Sequence, residues 1–194
     1  MTRSSLFVVL ASNLLLSVLA SQTLQAQDQA TQGAALSPAS LERITREVHH
    51  ELVMLPFYGV FDNLAYKVDP DGTVTLMGQT VRPTLQSDAE RAVKRIEGVT
   101  KVINNIEVLP PSPMDDRIRL AVYRAIYGHP ALNMYQLRAI PPIHIIVKNG
   151  HVTLEGVVAR QMDKQIAETQ ANSVPGVFSV TDNLRVEEEE SGKK

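Results

Sequence analysis

The sequence predicts an α+β protein built from two tandem α-β-β-α-β units, each a three-stranded sheet covered on one face by two helices. Three observations carry that prediction. First, the chain repeats itself: "GTVTLMG" from Gly72 and "HVTLEG" after Gly150 superpose on a shift of 78 residues. The shift holds without a gap from Gly72 to Val108, pairing Ala89 with Ala167, Gly98 with Gly176, Val102 with Val180 and Asn105 with Asn183. Second, apolar residues alternate on both sides of each glycine turn, as in hairpins with one buried face. Third, apolar residues at helical spacing precede and follow each hairpin.

The elements follow in order. Residues 27–37, "QDQATQGAALS", are small and polar and read as a flexible leader. A helix then opens with Ser37 as N-cap and Pro38 at the first position, with Leu41, Ile44, Val48, Leu52 and Leu55 as its apolar stripe. In the hairpin that follows, pairing Val68 with Val74 and Tyr66 with Leu76 places four apolar side chains on one face. Leu85, Ala89, Ala92, Val93 and Ile96 mark a second helix from about Arg82 to Ile96, stopped at Gly98, and "TKVINNIEV" supplies a third strand. Three prolines in "LPPSPM" mark a stiff linker at 110–114, separating a first domain at 38–109 from a second at 115–187. The second copy repeats the order: a helix from about Asp115 to Tyr127, a hairpin at 143–158, a helix at 160–173 and a strand at 177–186. Its hairpin pairs Val147 with Val152 and Ile145 with Leu154. The glycines recur because backbone geometry recurs: Gly72 and Gly150 serve turns that need positive φ, and Gly78 and Gly156 mark where the strand ends or bulges. The tail "EEEESGKK", within 188–194, is expected to be solvated.

With 194 residues, 44% apolar, no cysteine, no tryptophan and a formal charge of −2, the chain fits one or two small domains and gives no electrostatic reason to bind nucleic acid. At the N-terminus, Arg3 precedes a mainly apolar run from Leu6 to Ala20, with Ala20 or Ala26 as cleavage points. That layout is a secretory signal peptide over residues 1–26, and it predicts an exported protein. An uncleaved anchor is the alternative, although the run falls short of the roughly 20 residues a span needs. The lack of cysteine excludes a lipid-anchored precursor.

No nucleophile elbow or phosphate loop is present. His49 and His50 are adjacent on a helix and point apart; His144 and His151 stand far apart along a hairpin. "DPDG" at Asp69 lacks the glutamate that would close a calcium loop and reads as a turn. The expectation is no catalysis, no metal and no cofactor.

The first helices of the two copies differ. In copy one the side opposite the stripe carries Glu42, Arg43, Arg46 and His50, an ordinary wet face. In copy two the stripe is Ile118, Val122, Ala125 and Ile126, and a wheel at 100° per residue sets Leu120, Tyr123 and Tyr127 opposite it, flanked by Arg119 and Arg124. A small domain has no use for a helix that is apolar on both sides unless something covers it. Three readings stand: packing against copy one or against "ALNMYQLRAIPPI"; a lipid-facing patch, with tyrosine at headgroup level and arginine on phosphate; or a protein-partner groove or homodimer seam.

The pattern G-x-V-x-L-x-G, then a helix, then G-V-x-x-V-x-(N/D)-N-(I/L)-x-V, resembles the BON domain of bacterial envelope proteins. Copy one matches at Gly72, Val74, Leu76, Gly78, Gly98, Val99, Val102 and Asn105, and copy two at Gly150, Val152, Leu154, Gly156, Gly176, Val177, Val180 and Asn183. A signal peptide followed by two such units is similar to the OsmY-like periplasmic proteins. The resemblance covers roughly 40–186 and rests on turn and core positions, so it speaks to fold more than to chemistry. It implies a non-enzymatic envelope role, phospholipid-binding and membrane-stabilising under osmotic or envelope stress. Anionic phospholipid headgroups would be the partner and Arg119, Leu120, Tyr123, Arg124 and Tyr127 the contact set. The alternative is a protein–protein adaptor in the periplasm using the same face. The stretch from Tyr127 to Ile143 departs from the family pattern.

Overall fold

Two proline-led helices open the two repeats, and each is started by the same device. In α1 (Pro38–Val53) the Ser37 hydroxyl accepts from the Ser40 N–H, and in α3 (Pro113–Tyr127) the Ser112 hydroxyl accepts from the Asp115 N–H. Proline in the first turn loses nothing, because its missing N–H would have had no partner there. Helix α3 therefore starts two residues earlier than the sequence reading placed it, and the linker shortens accordingly. The computed structural model describes residues 36–187. Residues 1–26, where a signal peptide is expected, nearly all of the expected leader and the tail 188–194 lie outside the described residues.

Repeat one continues with β1 (Asn63–Val68), β2 (Thr73–Thr80), α2 (Pro83–Val93) and the short strands β3 (Lys101–Asn104) and β4 (Glu107–Val108). Repeat two continues with a 3-10 turn (Asn133–Leu137), β5 (Ile143–Lys148), β6 (His151–Val158), α4 (Gln161–Asn172) and β7 (Ser179–Val186). Both repeats fall within the compact unit that begins at Ser37. In each, the hairpin is antiparallel and the last strand lies parallel to the middle one. The registers expected from the buried face are the observed ones: Tyr66 opposite Leu76, Val68 opposite Val74, Ile145 opposite Leu154, Val147 opposite Val152. Strands β3 and β4 both pair with β2 and are one interrupted strand, whereas β7 is continuous. The fold class is the predicted one, a mixed α+β chain with two tandem units.

Gly78 and Gly156 hold φ of 109° and 123°. They do not end their strands; they permit a close crossing. A side chain at Gly78 would strike the carbonyl oxygen of Asn63, and one at Gly156 that of Pro142. Gly98 and Gly176 also have positive φ, but α2 and α4 end several residues before them, so these glycines serve the entry into the third strand. Behind them sit Ile44 and Ile118, the equivalent stripe residues of the two opening helices.

The stripes form the cores. In repeat one, Ile44, Val48, Leu52, Val74, Leu76, Leu85, Ala89 and Val93 are all buried, with α1 packed on α2 and β1. Ile118, Val122 and Ile126 meet Ile143, Ile145, Val147, Val152 and Leu154 in repeat two. Each such aliphatic side chain contributes about 1.5–3 kcal/mol by leaving water. The segment 128–142, whose conformation the sequence left open, adds Leu132 and Tyr135 to the second core. Burial raises the Tyr135 hydroxyl pKa. That hydroxyl donates to Asp163 at 2.7 Å and accepts from the Ala159 N–H at 2.8 Å.

The repeats are docked. Val60 of repeat one accepts from the Ile145 N–H on the edge of β5 at 2.7 Å. Tyr58 stacks on His144 at 5.6 Å, and Glu107 pairs with Lys148. Ile146, on the side of β5 away from the helices, is buried beside a cleft shared with Gln79, Glu107 and Leu109. Strand β5 is thus covered on both faces, which ends the alternation that a half-buried strand shows.

Candidate functional site

The predicted face of α3 divides in two. Tyr127 is not exposed. Its hydroxyl donates to the Ile143 carbonyl at 2.7 Å and accepts from the Ile143 N–H at 3.1 Å, and burial raises its pKa. Arg119 is 2% exposed, with one guanidinium nitrogen on the Val147 carbonyl at 2.7 Å and another on Asp116; its Nε has no partner. Both residues anchor the helix to β5 inside repeat two, which corrects the expectation that they lie on an open face. The wheel failed because it assumes one covered side. Here the 128–142 segment and β5 wrap the last turn, and the hairpin end receives the arginine.

Tyr123 is half-buried. It meets Phe61 of repeat one edge-on at 6.1 Å and Tyr127 at 4.9 Å, while its hydroxyl accepts from the Gln136 side chain at 3.0 Å. The packing reading thus holds for part of the face, against both of the proposed surfaces. Leu120 remains 47% exposed, and Arg124 is exposed beside it with no ion pair among the described residues. Two adjoining grooves run along this surface. One, of about 380 Å³, is lined by Phe57, Phe61, Arg82, Asp116, Arg119 and Leu120 among others. The other, of about 390 Å³, is lined by Val60, Leu120, Tyr123, Arg138 and Pro141 among others.

Repeat one therefore supplies half of the surface through the segment 54–62, which sequence reasoning passed over. Its signal was available: three aromatics, Phe57, Tyr58 and Phe61, stand in the loop before the first hairpin. Phe57 is 70% exposed at a φ of 70°, and the Arg82 guanidinium lies 4.8 Å from its ring centre. The loop is held by Asp62, a buried carboxylate that accepts from the Thr80 hydroxyl at 2.8 Å, the Val81 N–H at 2.9 Å and the Gly59 N–H at 3.3 Å. Tyr58 is buried enough for its pKa to be pushed up to about 12. His144, beneath it, has its pKa lowered by burial, partly offset by the Asp62 and Gly59 backbone and by the Asp62 and Glu155 charges.

Among the described residues no group of three or more His, Asp or Glu is placed to hold a metal ion, and no helix is long and apolar enough to cross a membrane. What this surface can do is bind. It presents apolar side chains edged by arginine, and its acids, Asp116 and Asp62, are already engaged.

A sequence model of the BON domain matches residues 40–110 and again 115–188. No curated protein matches the chain. Among solved structures, CdsD, a structural protein of the type III secretion system of Chlamydia trachomatis, aligns at 11% identity over 77% of this chain and 95% of that one, with a TM-score of 0.30. A structure of the CdsD C-terminal domain aligns at 12% identity over 73% and 96%, with a TM-score of 0.29.

Proposed function

The chain belongs to the BON domain family, with two tandem copies, and from that premise we propose that it is a non-enzymatic, periplasmic envelope protein that docks on anionic phospholipid and stabilises the membrane under osmotic or envelope stress. The observation that carries the reading is the surviving outer face of α3: Leu120 is half-exposed at the junction of two grooves, Tyr123 borders it, and Arg124 lies alongside without a carboxylate partner among the described residues. An apolar side chain at headgroup depth with arginine beside it matches the chemistry of an anionic bilayer surface.

The test is sedimentation of residues 27–194, which hold the whole compact unit, with phosphatidylcholine vesicles and with vesicles rich in phosphatidylglycerol, at low and high salt. Binding should require the anionic lipid and weaken with salt. The double variant L120S/R124Q should bind less and melt at the wild-type temperature, since neither side chain is in the core. Absence of binding at low salt would reject the reading in favour of an adaptor that uses the same face for a protein.

A further inference from the structure

We propose that Phe57 is an aromatic anchor that enters the bilayer, and that with Arg82 it forms a second lipid contact supplied by repeat one, across the groove from Leu120. The inference rests on the membrane reading above and adds a site from the other repeat.

The backbone is the starting point. A bulky aromatic at φ 70° is in the left-handed region, which disfavours every side chain with a Cβ and is rare outside glycine and asparagine. Such strain persists only where the surroundings over-determine it. They do so here. Tyr58 N–H donates to the Leu55 carbonyl and Asp62 N–H to the Gly59 carbonyl. The Asp62 carboxylate ties the loop to the end of β2, and Tyr58 and Val60 tie it to β5. The strain secures no burial, since the Phe57 ring is 70% exposed. The fold thus holds a large apolar side chain out in solvent on a rigid platform, where glycine would cost less.

Charge selects the occupant. Arg82 lies over the ring and makes no ion pair among the described residues. In the groove it shares with Phe57, Asp116 is neutralised by Arg119, and Asp62 is consumed by its three hydrogen bonds. The charge that faces solvent there without an ion pair is positive: Arg82 is exposed, whereas the Asp62 carboxylate is buried. An aromatic ring with a guanidinium at its face suits the acyl–headgroup boundary, with the ring below the phosphate and the arginine on it. A protein partner would have to bring both an apolar pocket and an acid; an anionic bilayer offers both everywhere.

The chain has no tryptophan, so F57W carries a single reporter. With phosphatidylglycerol-rich vesicles its emission should shift to the blue and be quenched by acyl-chain-brominated lipid, with neither change on phosphatidylcholine alone. R82Q should weaken binding about fivefold, the share of one arginine near an anionic surface. The decisive variant is F57G. Glycine accepts the positive φ, so F57G should melt at or above the wild-type temperature yet bind vesicles several-fold more weakly. A lowered melting temperature in F57G would make Phe57 structural and overturn the proposal. If wild type binds anionic vesicles but the F57W emission does not move, the anchor is wrong while the α3 face stands. If wild type does not bind, the membrane reading falls and the anchor falls with it.

Discussion

The two repeats share one topology and tie it down in different ways. In repeat one the hairpin turn closes on itself: Asp71 accepts from the Thr73 N–H at 2.9 Å and from the Thr73 hydroxyl at 3.0 Å. In repeat two the turn is the minimal Asn149–Gly150, both at positive φ, and the helix closes it: Asp115 in the first turn of α3 accepts from the Gly150 N–H at 2.8 Å and the Asn149 N–H at 3.0 Å. Further along, the Tyr66 hydroxyl of repeat one reaches back to the Thr45 carbonyl, while in repeat two Arg119 and Tyr127 reach forward from the helix to both ends of β5. The third strand shows the same contrast within a shared plan. Gln86 donates to the Ile106 carbonyl in one copy, and its counterpart Lys164 donates to that of Leu184 in the other. Duplication thus preserved where a backbone group needs a partner while the partner changed. At the hairpin turn and along its first strand, repeat two uses buried bonds where repeat one uses exposed ones; the buried side-chain bond of repeat one lies elsewhere, between Asp62 and Thr80.

Three experiments would sharpen or break this contrast. The largest effect is expected from D115A, which strands two backbone N–H groups at the β5–β6 turn, one of them fully buried; a loss of about 3 kcal/mol is expected in urea unfolding. D71A, its functional counterpart in repeat one, should leave the midpoint unchanged, because water replaces an exposed carboxylate. Equal effects would show that the two turns are held alike. Next, Y127F keeps the ring but removes the only hydroxyl shared by the Ile143 N–H and carbonyl, and should cost about 1–2 kcal/mol. A midpoint matching wild type would mean that the helix does not anchor β5 in this way.

The smallest effect concerns the seam between the repeats. His144 is neutral where it stacks on Tyr58, and its folded pKa lies below the unfolded value of about 6.5. The unfolded chain therefore binds more protons in acid. The stabilisation is complete above about pH 6.5 and is lost as pH falls from there through the folded pKa. Asp62 and Glu155, which face the ring, blunt the loss but do not reverse its sign. The melting temperature of wild type should fall more between about pH 7.5 and about pH 5.5 than that of H144F. Parallel pH profiles would remove His144 from the seam's energetics.

The candidate site was only half legible in advance. Leu120 and Arg124 are where a helical wheel sets them, and Tyr123 is at the boundary. Arg119 and Tyr127 lie on the same arc and are core, because a wheel counts angle around one helix and knows nothing of the segment that returns over it. Phe57 and Arg82 stand 25 residues apart, and their stacking follows from Asp62 fastening the loop to the end of β2. Nothing in local periodicity reports such a contact.

What the sequence determined by itself was the repeat, the α+β class, the strand registers and the aliphatic stripes of the cores. Those follow from periodicity and from glycine, and both act within one element or between neighbours, so they can be read along the chain. The tertiary structure alone decided which polar groups are buried, how repeat one's loop lies along β5, and which part of α3 stays in water. Those outcomes depend on surfaces brought together from distant segments, where a buried N–H takes whichever acceptor the fold delivers.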